Sequence, residues 1–337
     1  MTAGGLDAGA ARLWQPGRLE PMLARRIDEP FASPDFLFEI KWDGYRCLAF
    51  VDGGVYLQSR GGLDMSPWFP EVAEAVRRLD RRPAIVDGEV VAWREGRPDF
   101  GALQRRARLR RPEAVRRAAG AEPVTLVLFD VLVAGGRDVT HLTCEQRRRL
   151  LAGMLEPARS PCLALSEAVD GDGPGLYRAA QRAGLEGIVA KRRDSVYQPG
   201  RRSGDWLKVP HEHRRPVVIG GVAPGRHYGI GAFLVGAYDP QQPGLLTYLG
   251  DVGAGLDRGR LAELVGRLRP AARCPFHAVP SRHRAAFWVQ PEVVCVVGYR
   301  EVTADRRLRH PVFRGLDPAA APQDCVVPWG GGEGPQR

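Results

Sequence analysis

The segment of residues 36–60 alternates β-forming runs with tight turns, and this pattern constrains the fold more than any other part of the chain. Residues 36–40 lead into the turn W-D-G-Y. Residues 46–51 and 55–60 then flank the turn Asp52-Gly53-Gly54. Two such runs around a glycine-containing turn predict a β-hairpin. We therefore expect this region to form antiparallel sheet.

Apolar spacing predicts further strands and helices as far as residue 212. Strands are expected over residues 84–93, 124–133, 187–191 and 206–209. Helices are expected over residues 67–79, 143–155 and 175–183, the second opened by a capping box of Thr143 and Gln146. Antiparallel strands with separate flanking helices predict an α+β fold.

The pattern changes after the polar run H-E-H-R-R-P at residues 211–216, which we interpret as a linker. Beyond it, one helix pattern at residues 257–268 interrupts short β-like runs at 217–222, 232–238, 245–249 and 293–299. This arrangement predicts a five-stranded oligonucleotide-binding (OB-fold) barrel. The predicted organisation is a loose leader (1–18), a first domain (19–212), the barrel domain (213–325) and a disordered tail (326–337).

Charge and cysteine content restrict the class of partner and the compartment. The 337-residue chain has a formal net charge of +10, which favours a polyanion such as nucleic acid, although a solvated basic surface explains it equally well. Its six cysteines form no C-x-x-C pair, which argues against zinc and disulfides and fits a reducing cytosol. No apolar run predicts a secretory signal or a membrane span.

Lysine is unusually rare in this chain. Of 49 lysine and arginine residues only three are lysine: Lys41, Lys191 and Lys208. A lysine amine can lose its proton and attack an electrophile, whereas a guanidinium effectively cannot. Three such residues kept in an arginine-rich chain therefore indicate chemistry, and Lys41 is the candidate nucleophile.

Each lysine lies in a run that also carries polar groups suited to phosphate chemistry. Lys41 opens K-W-D-G, and further runs follow in order: S-R (59–60), D-G-E (87–89), F-D (129–130), E-G-I-V-A-K (186–191) and D-W-L-K (205–208). Carboxylates at strand ends need a partner, so Glu89 and Glu186 are candidates for binding Mg²⁺ or a ribose. Phe129 is a candidate for stacking on a base, or else a core residue.

This ordered set resembles the covalent nucleotidyltransferases, a superfamily of ATP-dependent DNA ligases, RNA ligases and mRNA capping enzymes. The runs E-P-M-L-A (20–24), D-S-V-Y-Q-P-G-R-R-S-G-D-W-L-K (194–208) and R-L-R-H-P-V-F-R-G-L (307–316) are similar to the ligase module of bacterial end-joining and repair ligases. The resemblance covers residues 19–316. It implies an adenylation domain followed by an OB-fold domain, here in stand-alone form.

The resemblance also implies a mechanism with ATP and Mg²⁺ (or Mn²⁺), in which Lys41 forms a lysine–AMP intermediate. AMP then moves to the 5′-phosphate of a nick, and the 3′-hydroxyl displaces it. By matched position, the residues around the nucleotide are Glu39, Ile40, Arg46, Arg60, Glu89, Phe129, Lys191 and Lys208. Glu186, together with Glu89, would bind the metal. Arg307 and Arg309, on the barrel, would orient pyrophosphate when that domain closes.

The implied partners are nicked or broken double-stranded DNA and, in an end-joining pathway, a DNA-end-binding protein and a separately encoded repair polymerase. No membrane partner is expected, and the implied location is the bacterial cytoplasm at the nucleoid. Two alternatives remain: an RNA ligase or capping-type nucleotidyltransferase, and a nick- or end-binding protein with impaired adenylylation.

The second alternative arises because the chain departs from the family's K-x-K pattern, with Lys208-Val209-Pro210 in its place. Proline offers neither a charge nor an N–H, and the loss of a contact aimed at a transition state can reduce a rate by about 10²–10³. Smaller departures are Gly61-Gly62 after Ser59-Arg60, and Val302-Thr303 and Asp305-Arg306 before R-L-R-H-P.

Overall fold

The computed structural model describes residues 5–158, 160–227, 229–303 and 305–329. The chain divides into two compact units, residues 1–211 and 212–337. Its helices are α1 (Ala8–Leu13), α2 (Pro70–Val76), α3 (Phe100–Ala107), α4 (Pro112–Ala121), α5 (Cys144–Leu155), α6 (Gly173–Arg182) and α7 (Arg258–Arg267). Within the described ranges, no helix has the length and apolar character needed to cross a bilayer.

Nineteen strands are described, fifteen of which contain three or more residues. They are β1 (Leu23–Arg26), β2 (Ala32–Ile40), β3 (Tyr45–Asp52), β4 (Gly54–Ser59), β5 (Ala84–Val91), β6 (Trp93–Arg94), β7 (Arg97–Pro98), β8 (Thr125–Ala134), β9 (Arg137–Asp138), β10 (Leu163–Leu165), β11 (Ala168–Asp172), β12 (Gly187–Arg192), β13 (Arg202–Pro210), β14 (His213–His227), β15 (Ile230–Asp239), β16 (Gln242–Val252), β17 (Phe287–Trp288), β18 (Val294–Tyr299) and β19 (Val312–Leu316).

The first unit contains two mainly antiparallel sheets. One has the strand order β1-β13-β12-β2-β11, and the other has the order β10-β8-β5-β3-β4 with β9 at the side of β8. Alternation along β3 buries both faces of the second sheet: Cys47 and Ala49 pack with α2 and α5, while Leu48 and Phe50 pack on the opposite side. The hairpin predicted at Asp52 joins β3 to β4.

The second unit is built on an antiparallel sheet with the strand order β16-β15-β14-β18-β19, and the short strand β17 pairs with β14 at its side. Its two end strands meet, because Phe313 of β19 donates to the carbonyl of Ala254 just after β16, and Ala254 also bridges to Val312. The sheet is therefore a closed barrel around an apolar core. The predicted α+β class with an OB-fold barrel is confirmed.

Two predictions about irregular segments are wrong. The supposed leader contains α1, which Asp7 caps at its N-terminus and whose Ala10 is fully buried against the second sheet. The supposed linker enters β14 at His213, where Arg214 and Arg215 align with β18. Both segments are polar or small in sequence, and packing against distant strands orders them.

The tail and the domain boundary lie close to their predicted positions but differ in detail. Val327 is buried and donates to the carbonyl of Tyr238, so the start of the predicted tail is packed. Residues 330–337 lie outside the described residues. The division after His211 falls one residue before the predicted boundary.

Candidate active site

A cavity of about 570 Å³ lies between the two sheets of the first unit. Its size is within the usual range for small-molecule sites. Nine of the residues implicated by sequence line it: Glu39, Ile40, Lys41, Arg46, Arg60, Glu89, Phe129, Lys191 and Lys208. The fold thus collects residues from six separate sequence runs around one space.

The two-residue period of the strands places the charged side chains on the cavity face. Along β2, Phe38 packs against α6 while its neighbour Glu39 faces the cavity. Along β12, Ala190 packs on the same helix side and Lys191 faces the cavity. The period repeats in β13, where Lys208 lines the cavity. Burial of the apolar face therefore fixes the direction of these lysines.

Lys41 follows directly after β2, and its backbone N–H donates to the carbonyl of Gly187 over 2.9 Å. Its amine forms an ion pair with the carboxylate of Glu186, and its side chain is 19% exposed. Gly187 has a φ of +134°, and a Cβ there would lie 2.2 Å from the carbonyl oxygen of Val209. The glycine of E-G-I-V-A-K therefore allows the backbone approach that brings Glu186 to Lys41.

The turn after Lys41 also requires a glycine. A Cβ on Gly44 would lie 2.1 Å from the carbonyl oxygen of Val90 and 3.0 Å from the side chain of Glu89. No side chain fits at such a distance from backbone. The glycine of K-W-D-G thus lets the turn lie against β5, which carries Glu89 into the same cavity.

Lys191 is almost fully buried and its amine is held by several groups. It lies 2.9 Å from Oε1 of Glu39, donates to the carbonyl of Phe129 over 3.1 Å, and lies 4.4 Å from the centre of the Phe129 ring. Arg148 of α5 also contacts Oε1 of Glu39, at 3.2 Å. A carboxylate that is hydrogen-bonded by two cations is fixed in orientation.

Arg46 belongs to a closed hydrogen-bond circuit in the cavity wall. Its guanidinium donates to both oxygens of the fully buried Asp87, at 2.5 and 2.6 Å, and to the carbonyl of Met22. Tyr197 donates to Asp87 over 2.6 Å and accepts from the backbone N–H of Met22. Burial alone would lower the pKa of Arg46, but pairing with Asp87 raises it. The guanidinium is held charged, 4.7 Å from the ring of Phe129.

Two carboxylates lie near the Lys41 amine: Glu186, which pairs with it, and Glu89. Burial raises the pKa of Glu89 to about 8, against the lowering effect of Arg46 and Lys41. The described residues contain no cluster of three or more His, Cys, Asp or Glu side chains suited to a metal. A site with two carboxylates fits Mg²⁺, which usually takes one or two protein carboxylates and completes its shell with water and substrate phosphates.

Of the other predicted residues, one is an exposed part of the cavity lining and two belong to the second unit. Arg60 is exposed at the edge of the cavity. Arg307 and Arg309 belong to the second unit, where Arg307 donates to the carbonyl of Tyr248 and Arg309 pairs with Glu301 at 2.5 Å.

Sequence reasoning missed several residues of the site. Arg148 carries no sequence signal, since it is one of three consecutive arginines on a helix. Asp87 and Tyr197 lie in recognised runs, but nothing in the sequence shows that Tyr197 and Arg46 both donate to Asp87. The apolar lining was also missed, although Trp42 lies beside the lysine in K-W-D-G. The missed lining includes Trp42, Tyr45, Leu63, Met65, Trp68 and Trp206.

A lysine amine beside two carboxylates, in a cavity of nucleotide size lined by further cations, is the arrangement of a covalent nucleotidyltransferase. Comparison with protein-family models agrees with this class. Residues 21–209 match the ATP dependent DNA ligase domain, and residues 226–318 match the ATP dependent DNA ligase C terminal region. The chain therefore belongs to the ATP-dependent DNA ligases, a family that uses ATP and a divalent metal.

Individual relatives agree with this assignment. The chain is 32% identical to DNA ligase C1 of Mycolicibacterium smegmatis, over 91% of this chain and 92% of that protein. It is 35% identical to the multifunctional non-homologous end joining DNA repair protein LigD of Mycobacterium tuberculosis, over 94% of this chain but 40% of that protein. The chain thus spans less than half of the LigD relatives.

Solved structures show the same fold. The ligase domain of M. tuberculosis LigD matches with a TM-score of 0.53 and 33% identity, over 93% of this chain and 99% of that one. A Lig E DNA ligase structure matches with a TM-score of 0.60 at 17% identity, over 88% of this chain.

Proposed function

We propose that the chain seals nicks in double-stranded DNA through a covalent adenylate on Lys41. The Lys41 amine, after losing a proton, attacks the α-phosphorus of ATP. A P–N bond forms, and the bond from the α-phosphorus to the bridging oxygen of pyrophosphate breaks. AMP then passes to the 5′-phosphate of a nick, and the 3′-hydroxyl displaces it as the phosphodiester forms.

The observation that carries this proposal is the convergence of the Lys41 amine with eight other matched residues on one cavity. Each step is an in-line displacement at phosphorus, so catalysis depends on positioning and on neutralising charge. A cavity in which Lys191 and Arg46 are already fixed by their own partners suits that demand.

We assign the roles of the lining residues within the cavity as follows. Glu39 and Ile40 lie beside the adenine, and Phe129 stacks on it. Lys191 and Lys208 bind the α-phosphate. These assignments combine the family resemblance with the directions of the side chains.

The other assignments concern the metal and the phosphate tail. Glu89 and Glu186 supply carboxylates to Mg²⁺ or Mn²⁺, which when bound would neutralise the phosphate oxygens. Glu89 also contacts the ribose. Arg46 and Arg60 contact the nucleotide tail or the nick phosphate, and Arg307 and Arg309 orient the pyrophosphate.

The test is to incubate the full chain with Mg²⁺ and with ATP or GTP labelled at the α-phosphate. We expect label from ATP on the protein, absent in Lys41→Ala and weakened but retained in Lys208→Ala. The bond should be cleaved by acid and survive alkali, as a phosphoramidate does. Label from GTP in place of ATP would indicate a capping-type enzyme, and no label with tight nick binding would leave only a nick-binding protein.

A second assay addresses the nucleic-acid substrate. Chains carrying the adenylate should seal a nick with a 5′-phosphate and 3′-hydroxyl in DNA, and seal the matched RNA duplex more slowly. Faster sealing of RNA would overturn the assignment to DNA.

We further propose a role in DNA repair by end joining, in the bacterial cytoplasm at the nucleoid, with a DNA-end-binding protein and a separately encoded polymerase. The support is the similarity to end-joining LigD proteins, together with a net charge of +10 that suits DNA. Stimulation of the joining of broken ends by a DNA-end-binding protein tests this role. No stimulation across a range of salt concentrations would contradict it.

A further inference from the structure

Arg307 of the barrel is held by a single tyrosine, Tyr248 of β16. The guanidinium of Arg307 donates to the backbone carbonyl of Tyr248, and its central carbon lies 4.6 Å from the centre of the Tyr248 ring. The backbone of Arg307 is fixed as well, because its N–H donates to the hydroxyl of Thr303 over 3.0 Å. Both ends of this arginine are therefore constrained within the second unit.

Tyr248 is itself fixed by a polar cluster that the proposed chemistry does not otherwise use. Its hydroxyl donates to Asp251 and lies 3.2 Å from Nε2 of the buried His283, which is also 2.9 Å from Asp251. Arg282 approaches the same two acceptors, at 3.4 Å from the hydroxyl and 2.9 Å from the carboxylate. A proton on Nε2 of His283 satisfies all these contacts, with the tyrosine oxygen donating once and accepting from its neighbours.

Tyr248 lies in an apolar cluster separate from the barrel core, and its polar contacts exceed what packing there requires. A tyrosine that serves only packing needs one partner for its hydroxyl, whereas Tyr248 has three polar neighbours and presents its ring face and carbonyl to an arginine. Burial raises the pKa of Tyr248 above its usual range, so the hydroxyl stays a neutral donor. The carboxylate of Asp251 is 27% exposed, so the cluster reaches the protein surface.

An arginine side chain has several rotatable bonds, and ordering them at the moment of reaction would raise the barrier. A guanidinium stacked on an aromatic ring and bonded to a carbonyl is ordered beforehand. We propose that Tyr248, held by Asp251 and His283, is a positioning residue that orients Arg307 for the formation of lysine–AMP. This inference rests on the proposed role of Arg307 toward pyrophosphate.

The inference predicts an effect confined to the first chemical step. Sealing of a nick that already carries a 5′-adenylate needs no ATP and releases no pyrophosphate, so it serves as the internal reference. A cation–π contact contributes about 0.5–2 kcal/mol, which corresponds to about a 2- to 30-fold change in rate. We expect Tyr248→Leu to slow labelling of Lys41 by about that factor while sealing of the pre-adenylylated nick stays within about twofold of the unsubstituted chain.

Two further variants separate positioning from folding. Tyr248→Phe keeps the ring and the carbonyl and loses only the hydroxyl contacts, so it should slow labelling less than Tyr248→Leu. Tyr299→Leu is the matched control, because Tyr299 is a buried tyrosine of the same barrel whose ring lies by His213. Equal losses of labelling and of sealing in Tyr248→Leu and Tyr299→Leu would show that Tyr248 only supports the fold, and would overturn the proposal.

The decisive measurement is a double-mutant cycle. If Tyr248 acts through Arg307, the double variant Arg307→Ala/Tyr248→Leu should label no more slowly than Arg307→Ala alone. Independent, multiplicative losses would overturn the inference, as would normal labelling in Tyr248→Leu, and both leave the proposed function intact. Absence of label in the unsubstituted chain would instead overturn the proposed function, and this inference with it.

Discussion

Polar side chains have different roles in the two units. In the first unit, Asp87 is fully buried and the Glu39 and Lys191 side chains are at most 3% exposed, and all three belong to the walls of one cavity or to the network behind them. In the second unit, the barrel core is apolar and its Tyr248 cluster reaches the surface at Asp251. Buried charge in the first unit surrounds a ligand-sized space, whereas the partly exposed polar cluster of the second unit orients one arginine.

This difference teaches where each kind of substitution should act. Removing a charge from the first unit leaves its partner buried and unsatisfied, which affects both stability and chemistry. Removing a charge from the partly exposed Tyr248 cluster of the second unit lets water take its place, so the loss of stability should be smaller.

The largest effect is expected at the nucleophile. Lys41→Arg keeps the positive charge beside Glu186 but offers no amine that can be deprotonated, so label from ATP should fall below detection. Lys208→Arg is the matched control, since it also keeps the charge and should retain measurable labelling. Labelling of Lys41→Arg at a rate near that of the unsubstituted chain would show that another residue carries the nucleotide.

The next effect is on stability. Asp87→Ala removes the fully buried partner of Arg46 and should lower the free energy of unfolding of the first unit by about 3–5 kcal/mol. Asp251→Ala, at a partly exposed site of the second unit, should cost about 1–2 kcal/mol. Urea titration of both variants measures the two losses in free energy of unfolding. Equal losses would contradict the proposed difference between the units.

A smaller effect depends on pH. The pKa of Glu89 is about 8 in the folded chain against an ordinary value of 4.5, so the folded state holds this proton more tightly than the unfolded state. Stability from this group is present below about pH 4.5 and is lost as pH rises to about 8. The side chain of Glu89→Gln cannot ionise, so this variant does not lose that stability as pH rises. Its melting temperature minus that of the unsubstituted chain should therefore increase from pH 5 to pH 8.

The control for that prediction is Glu292→Gln, whose side chain is 52% exposed. The difference in melting temperature between Glu292→Gln and the unsubstituted chain should not change over the same range of pH. If the difference in melting temperature for Glu89→Gln is also constant, Glu89 is ionised over the whole range from pH 5 to pH 8.

The smallest effect concerns position 210. Pro210 ends β13, is buried, and lies opposite Gly187. It occupies the same strand face as Lys208, so Pro210→Lys should add a cation near the α-phosphate and raise the rate of labelling. The gain should stay below the factor of about 10²–10³ that a lost transition-state donor typically costs. Pro210→Met is the control for side-chain length, and an unchanged rate in Pro210→Lys would show that the cavity already compensates.

Sequence reasoning recovered much of the fold because the relevant signals are local. The capping box of Thr143 and Gln146 opens α5 as predicted, with both hydrogen bonds present. Residues 84–93 were predicted as a strand, and β5 covers Ala84–Val91. The missed elements have weak local signals: α1 is stabilised by tertiary packing, and β19 by pairing with β18.

The sequence by itself determined that Lys41, Lys191 and Lys208 are chemically distinct, and alternation within each strand determined which residues share a face. Only the tertiary structure decided what those faces meet. Arg46 and Asp87 are 41 positions apart, and Tyr248 and Arg307 are 59 apart. Such contacts are set by how the sheets pack, because strand periodicity fixes a direction but not the distance to a partner on another strand.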